Sequence, residues 1–154
     1  FANYWSGSTR QEPAVLLTNF LEVNDDNGLR RIVRPLEKAY FGNCIIFGNN
    51  QKELALAEDE GASFNFTFNH ALFRLPFNLE DRSINITDPE FTQVQVNSDP
   101  GFIAPQQNRY DLDSTAQVVD QGNVSDGARV LGDILGRSRN FNGRPDLGAF
   151  ERQF

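Results

Sequence analysis

Two short stretches, Asn43-Cys44-Ile45-Ile46-Phe47 and Asn69-His70-Ala71-Leu72-Phe73, share a pattern in which an asparagine opens an apolar run that ends in phenylalanine. The two asparagines are 26 residues apart (69 minus 43). Repeats of about 20 to 50 residues are typical of solenoids, whose coils bury their apolar faces only by stacking on one another. We therefore predict an all-β chain that forms a right-handed parallel β-helix with few coils.

The rest of the chain also favours short strands. Twelve glycines and seven prolines interrupt it at short intervals, and no long helical spacing of apolar residues is present. The predicted strands are residues 14–20, 31–33, 44–47, 63–68, 71–75, 83–86, 91–96 and 129–131.

Stacked coils predict two side-chain ladders. The amides of Asn43 and Asn69 are expected to hydrogen-bond from coil to coil, as amide ladders do in stacked strands. Phenylalanines are expected to stack inside the coils at positions 41, 47, 64, 68 and 73.

An excursion from the coils is predicted at about residues 22–38. The stretch Asn24-Asp25-Asp26-Asn27-Gly28 is a strong turn sequence, which predicts a projecting β-loop. Its Asp25 and Asp26, with the neighbouring amides, are candidate oxygen ligands for Ca²⁺, so calcium is the one cofactor considered.

Charge and hydropathy narrow the range of partners. The net charge of -7 and the isoelectric point near 4.6 argue against nucleic acid, because phosphate backbones require clustered Lys and Arg. No apolar run approaches the roughly 18 residues of a membrane helix, so the chain is not expected to span a membrane. The chain opens on Phe1 and contains no Met. We therefore expect a processed product or fragment whose partners include upstream coils of the same parent protein.

The last third contains five short motifs in order. They are Asp99-Pro100-Gly101-Phe102, Tyr110-Asp111-Leu112, Val118-Val119-Asp120-Gln121-Gly122, Asp133-Ile134-Leu135-Gly136-Arg137-Ser138-Arg139 and Pro145-Asp146-Leu147-Gly148-Ala149-Phe150-Glu151. Together they resemble the C-terminal module of bacterial surface β-helix proteins, the choice-of-anchor Q domain of the pectate-lyase-like superfamily. The resemblance implies a solenoid, export, and a location outside a bacterial cell or on its envelope.

These motifs also have a mechanical interpretation. A β-helix ends in an exposed sheet edge, so its last coil needs a cap. We expect residues 1–97 to form the coils and residues 98–154 to form the end and cap of the same domain. The residues expected to shape and pin this cap are Asp120, Gly122, Asp133, Gly136, Arg139, Asp146, Gly148 and Glu151.

Candidate chemistry is sparse. With one His and one Cys, the chain cannot assemble a zinc site of four N or S ligands. Exposed aromatic residues with polar neighbours are a means of binding sugars, and the candidate glycan-binding residues are Tyr4, Trp5, Tyr40 and Tyr110.

The leading functional hypothesis is a non-catalytic structural end module of a secreted or cell-surface β-helix protein. A contribution to glycan or partner attachment, with polysaccharide as the partner, is a secondary expectation. The alternative is part of a polysaccharide lyase or glycoside hydrolase that acts on complex glycans, with chemistry based on paired carboxylates. The sequence assigns no catalytic residue, so it leaves the question of enzymatic activity open and favours the non-catalytic role.

Overall fold

The chain is mostly β, as predicted. The computed structural model describes residues 2–4, 10–26, 28–77 and 84–153. Its strands are β1 (Ala2–Asn3), β2 (Val15–Thr18), β3 (Phe20–Asp25), β4 (Gly28–Val33), β5 (Leu36–Gly48), β6 (Leu54–Ala57), β7 (Phe64–Phe73), β8 (Phe91–Val96), β9 (Phe102–Ala104) and β10 (Arg109–Leu112). A single turn of α-helix, α1 (Val124–Gly127), follows them. The predicted strand at residues 129–131 is absent, and in the described part of segment 83–86 no strand forms.

Two parallel sheets organise the chain. The larger has the strand order β1-β5-β7-β8, and the smaller pairs β2 with β6. In both sheets each pass of the chain lies beside an earlier pass in the same direction. Neighbouring parallel strands require long connections, and several of these connections pass through a strand of the other sheet.

A hairpin leaves the parallel sheets where the excursion was predicted. Strands β3 and β4 pair antiparallel from Phe20 opposite Val33 to Asp25 opposite Gly28. The predicted bounds of 22–38 are shifted, because residues 36–38 already belong to β5. The hairpin begins at Phe20, which pairs with Val33 at the base of the two strands.

The register between β5 and β7 corrects the predicted repeat by one residue. Gly42 pairs with Asn69 and Cys44 pairs with Ala71, so equivalent positions are 27 residues apart (69 minus 42) and not 26. Asn43 thus lies beside His70. A slip of one residue would turn every side chain of the strand to the opposite face. The inward packing of Cys44 and Ala71 therefore decides the register, and it outweighs the similarity between the two asparagines.

Three neighbouring strands share a left-handed residue at this position. Asn43 has φ 52°, His70 has φ 54° and Gln93 has φ 52°. Gln93 falls between Thr92 and Val94, which pair with Asn69 and Ala71. A left-handed residue interrupts the alternation of side chains within a strand, so β5, β7 and β8 all bend at the same register position.

The inner core contains a ladder of phenylalanine rings. Phe68 is fully buried and stacks on Phe41 with ring centroids 4.6 Å apart and on Phe91 with centroids 5.6 Å apart. This confirms the predicted stacking of Phe41 and Phe68 and adds Phe91 as its third member. Phe73 packs edge-on against Phe68, while Phe47 belongs to a second apolar cluster.

The second cluster lies on the outer face of β5 and β7. Ile45 and Leu72 pack there against Leu112, Val118 and Leu147 of the C-terminal segment. The described part of this segment therefore covers the side of the stacked strands.

Asn43 attaches the C-terminal segment to β5. Its amide oxygen accepts from the backbone N–H of Asn123 at 2.6 Å, and its amide nitrogen donates to the Asn123 carbonyl at 3.0 Å. The Gly148 N–H donates to the Asn43 carbonyl at 2.8 Å. The predicted amide ladder between Asn43 and Asn69 is wrong, because the Asn43 amide is used by this segment.

A search of the described helices finds none that is both long enough and apolar enough to cross a membrane.

Candidate functional site

A cleft forms where the strands of the four-stranded sheet end. Parallel strands end at a common edge, so the residues that follow them converge. Tyr4 follows β1, Arg74 follows β7 and Asn97 follows β8. The cleft has a volume of about 410 Å³ and is lined by Tyr4, Phe47, Arg74, Phe77, Asn97, Asp99, Phe102 and Pro105.

Backbone contacts hold the polar side chains of the cleft. Arg74 Nη1 donates to the Gly48 carbonyl at 2.6 Å, and its guanidinium lies 5.4 Å from the centroid of the Phe47 ring. The amide oxygen of Asn97 accepts from the Leu75 N–H at 2.9 Å. These contacts orient the two side chains at the sheet edge and leave the amide nitrogen of Asn97 as a pair of donors.

Asp99 supplies the carboxylate of the cleft. One of its oxygens accepts from the Gly101 N–H at 2.8 Å, which fixes the side chain in a short turn. Gly101 suits this turn, since its φ of +70° lies in the region that favours glycine.

Aromatic rings form the wall of the cleft. Tyr4 packs against Phe102 with centroids 6.0 Å apart and against Tyr110 with centroids 6.2 Å apart. Burial, and then the charge of Asp99, raise the pKa of the Tyr4 phenol to about 12. Its hydroxyl therefore keeps its proton at neutral pH. Phe77 is 81% exposed at the mouth of the cleft.

The structure divides the predicted glycan-binding residues. Tyr4 lines the cleft and Tyr110 packs behind it, so these two come together. Tyr40 lies apart from them, on β5. Trp5 falls outside the described residues.

Tyr40 contacts helix α1. Its hydroxyl donates to the Asp126 carboxylate at 2.7 Å and accepts from the Asn69 amide at 3.0 Å. The Asn69 amide also donates to Asp126 at 2.8 Å. A Cβ on Gly42 would lie 2.6 Å from an Asp126 carboxylate oxygen, so this close approach requires glycine. Tyr40 thus helps to hold the C-terminal segment on the sheet.

Asp25 and Asp26 lie at the tip of the β3–β4 hairpin. The Asp25 carboxylate accepts from Arg30 Nε at 3.1 Å. Across the described ranges, no group of three or more His, Cys, Asp or Glu side chains is placed to hold a metal ion. At the hairpin, Asp25 thus forms an ion pair with Arg30.

Three residues of the predicted cap form a buried polar cluster. Asp146 and Glu151 are fully buried and Arg139 is 6% exposed. Arg139 Nη2 donates to the Asp146 carbonyl at 3.0 Å, while its Nη1 lies 3.7 Å from a Glu151 carboxyl oxygen. The Asp146 side chain accepts from the N–H groups of Asp120 and Arg152, each at 2.7 Å. Burial raises the pKa of Asp146, and it raises the pKa of Glu151 to about 7.

Asp133 organises the turn beside this cluster. Its carboxylate accepts from the Glu151 N–H at 2.8 Å and from Arg137 Nε at 2.7 Å. Burial alone would raise the pKa of Asp133, but these hydrogen bonds outweigh it and the pKa is lowered. Gly136 closes the same turn by donating its N–H to the Asp133 carbonyl at 3.0 Å.

Two cap glycines mark close approaches. A Cβ on Gly148 would lie 2.9 Å from Cδ1 of Ile45, and the φ of Gly148 is +90°. A Cβ on Gly122 would lie 2.7 Å from the Pro145 carbonyl oxygen. The segment can therefore approach β5 and itself closely only with glycine at these positions.

Sequence reasoning missed Arg74, Phe77 and Asn97. Arg74 and Asn97 directly follow apolar strand endings, at Phe73 and Val96. Aligning the chain by strand ends, instead of by the asparagine repeat, would have placed both residues at one edge.

Comparison with known proteins finds no protein family, curated protein or solved structure that matches the chain.

Proposed function

We propose that the chain is a non-catalytic end module of a parallel β-helix in an exported bacterial surface protein. One observation carries the proposal: β5, β7 and β8 stack in parallel with left-handed residues and phenylalanines in register. Such rows recur when successive coils repeat one backbone path. The connection between two parallel strands of one sheet is right-handed in nearly all cases, so the coils are expected to be right-handed.

Two features fit an end module. Strand β1 is at one edge of the four-stranded sheet and therefore offers a pairing edge to a preceding coil. The described part of residues 98–154 covers the outer face of the strands through the second apolar cluster. The stacked strands and the C-terminal segment that covers them would together form the structural support. We place attachment to a glycan or another partner in the cleft at the strand ends.

A cross-link tests the stacked register. Cys44 and Ala71 are paired on neighbouring strands, and both pack into the inner core. Neighbouring strands are about 4.8 Å apart, a separation that a disulfide spans. Under mild oxidation, Ala71→Cys is expected to form a disulfide with Cys44, measured by mass and by loss of free thiol.

His70→Cys is the matched control. A repeat of 26 residues would place position 70 opposite Cys44, whereas the observed register places position 70 beside Asn43. If His70→Cys cross-linked and Ala71→Cys did not, the observed register would be wrong, and if neither variant cross-linked, the stacked arrangement behind the proposal would be wrong.

The alternative, part of a polysaccharide lyase or glycoside hydrolase, depends on accessible carboxylates. Among the described residues, two carboxyl groups have raised pKa values, those of Asp146 and Glu151, and both side chains are shielded from solvent. A substrate cannot reach this pair in the present arrangement, so the pair does not support general acid catalysis.

An activity assay separates the two functions. We expect the chain to release no reducing ends and no unsaturated products from neutral or acidic polysaccharides. Cleavage that disappeared in an Asp25→Ala/Asp26→Ala double variant would replace the structural role with an enzymatic one.

A further inference from the structure

We propose that the cleft at the strand ends binds a neutral, β-linked hexose oligosaccharide, with one sugar ring stacked on Phe77. The inference deepens the attachment role proposed above and rests on it. It is carried by a 410 Å³ cleft that joins an exposed ring to oriented donors and acceptors. Ligand sites commonly combine apolar walls with a few placed polar groups in this way.

The apolar part of the cleft suits the flat face of a pyranose. Phe77 is 81% exposed, although phenylalanine side chains are usually buried. Tyr4 and Phe102 contact each other edge to face and line the cleft with Phe77. A β-linked hexose with equatorial substituents presents its C–H groups as a flat apolar surface, which matches an exposed aromatic ring.

The polar part of the cleft suits hydroxyl groups. Each sugar hydroxyl donates one hydrogen bond and accepts others. The Asn97 amide nitrogen supplies donors, Asp99 supplies a carboxylate acceptor and Arg74 supplies further guanidinium donors. The Asn97 amide oxygen and one guanidinium nitrogen are already bonded to backbone, so the groups are pre-oriented before a sugar arrives.

Charge favours a neutral sugar over an acidic one. Among the described residues that line the cleft, Arg74 is the only basic one and Asp99 the only acidic one. The chain carries a net charge of -7, which repels polyanions at a distance. One positive charge is therefore matched by one negative charge among these described residues, whereas a chain of acidic sugars would require an excess of positive charge.

Calorimetric titration of the whole chain with cellohexaose and mannohexaose tests the inference. At least one of the two is expected to bind with a submillimolar Kd, and hexagalacturonate is expected to bind more weakly. Phe77→Ala is expected to weaken binding by about tenfold, through loss of the stacking platform. Phe77 is exposed, so its replacement leaves the core intact.

Phe141→Ala is the matched control, since Phe141 is 55% exposed and does not line the cleft. Its affinity should equal that of the unmodified chain. The inference is overturned if neither neutral hexamer binds, if hexagalacturonate binds more tightly, or if Phe77→Ala binds unchanged. None of these results affects the Cys44 cross-link, so failure of the sugar site and failure of the β-helix proposal remain distinguishable.

Discussion

Replacing Phe68 with alanine is expected to lower the free energy of unfolding by about 4 kcal/mol. Phe68 is fully buried and touches four other rings, those of Phe41, Phe66, Phe73 and Phe91. Removing it opens a cavity at the centre of a ladder that spans three strands, and the stacked neighbours cannot collapse into the gap without leaving register. Urea denaturation followed by circular dichroism measures the loss.

Two substitutions make this prediction specific to the ladder. Phe77→Ala removes the same atoms from an 81% exposed site and should change the free energy of unfolding by less than about 0.5 kcal/mol. Phe68→Leu keeps an apolar side chain but loses the ring stacking, so an intermediate loss is expected. Equal losses for Phe68→Ala and Phe77→Ala would show that the ladder is not the centre of the core.

Much of the fold could be predicted from the order of apolar residues. The strand content, the hairpin at Asp25 and the inward stacking of Phe41 and Phe68 all follow from local patterns. The register did not, because sequence similarity aligned Asn43 with Asn69 and the structure aligns Asn43 with His70. The inward packing of Cys44 and Ala71 decides this register, and three chemically different side chains adopt the same left-handed geometry beside it.

The candidate site was harder to predict for a physical reason. Tyr4 could be selected from its type, but Arg74 and Asn97 are separated from it by long stretches of chain. They converge only through the pairing of β1, β5, β7 and β8. Tyr40 shows the opposite error. Its residue type suggested a ring on which a sugar could stack, whereas its hydroxyl donates a hydrogen bond to the Asp126 carboxylate.

The cap residues illustrate what motif order can and cannot supply. Asp133, Arg139, Asp146 and Glu151 were among the residues expected to shape and pin the cap, and the structure brings them together. Most of their contacts, however, are hydrogen bonds with backbone groups of the same segment. The segment is thus held together largely by its own polar cluster, and it contacts β5 through Asn43 and Gly148.

That cluster predicts a pH dependence of stability. In the folded chain the pKa of Glu151 is raised from 4.5 to about 7, chiefly by burial. Between these values the folded state holds a proton that the unfolded state has released. Stability from this group is therefore complete below about pH 4.5 and declines as the pH rises to about 7, by about 3 kcal/mol in all.

Glu151→Gln isolates this contribution. Glutamine keeps an oxygen to accept from the Asp146 N–H and cannot ionise, so the variant should lose most of the decline between about pH 5 and about pH 8. Asp146, whose pKa is also raised, retains a slope of the same sign. The pKa of His70 is lowered by burial, which opposes the trend equally in both proteins and cancels in their difference.

Denaturation by urea at several pH values measures this difference, with Asp113→Asn as the control. Hydrogen bonds from Thr115 lower the pKa of the exposed Asp113, so its titration lies below the window and its variant should keep the full decline. Asp133, which faces Glu151 and also has a lowered pKa, remains ionised throughout. Its charge is then constant, and the slope lost in Glu151→Gln belongs to Glu151. A Glu151→Gln protein that declined as steeply as the unmodified chain would show that this carboxyl is ionised in the folded state, with Arg139 as its counterion.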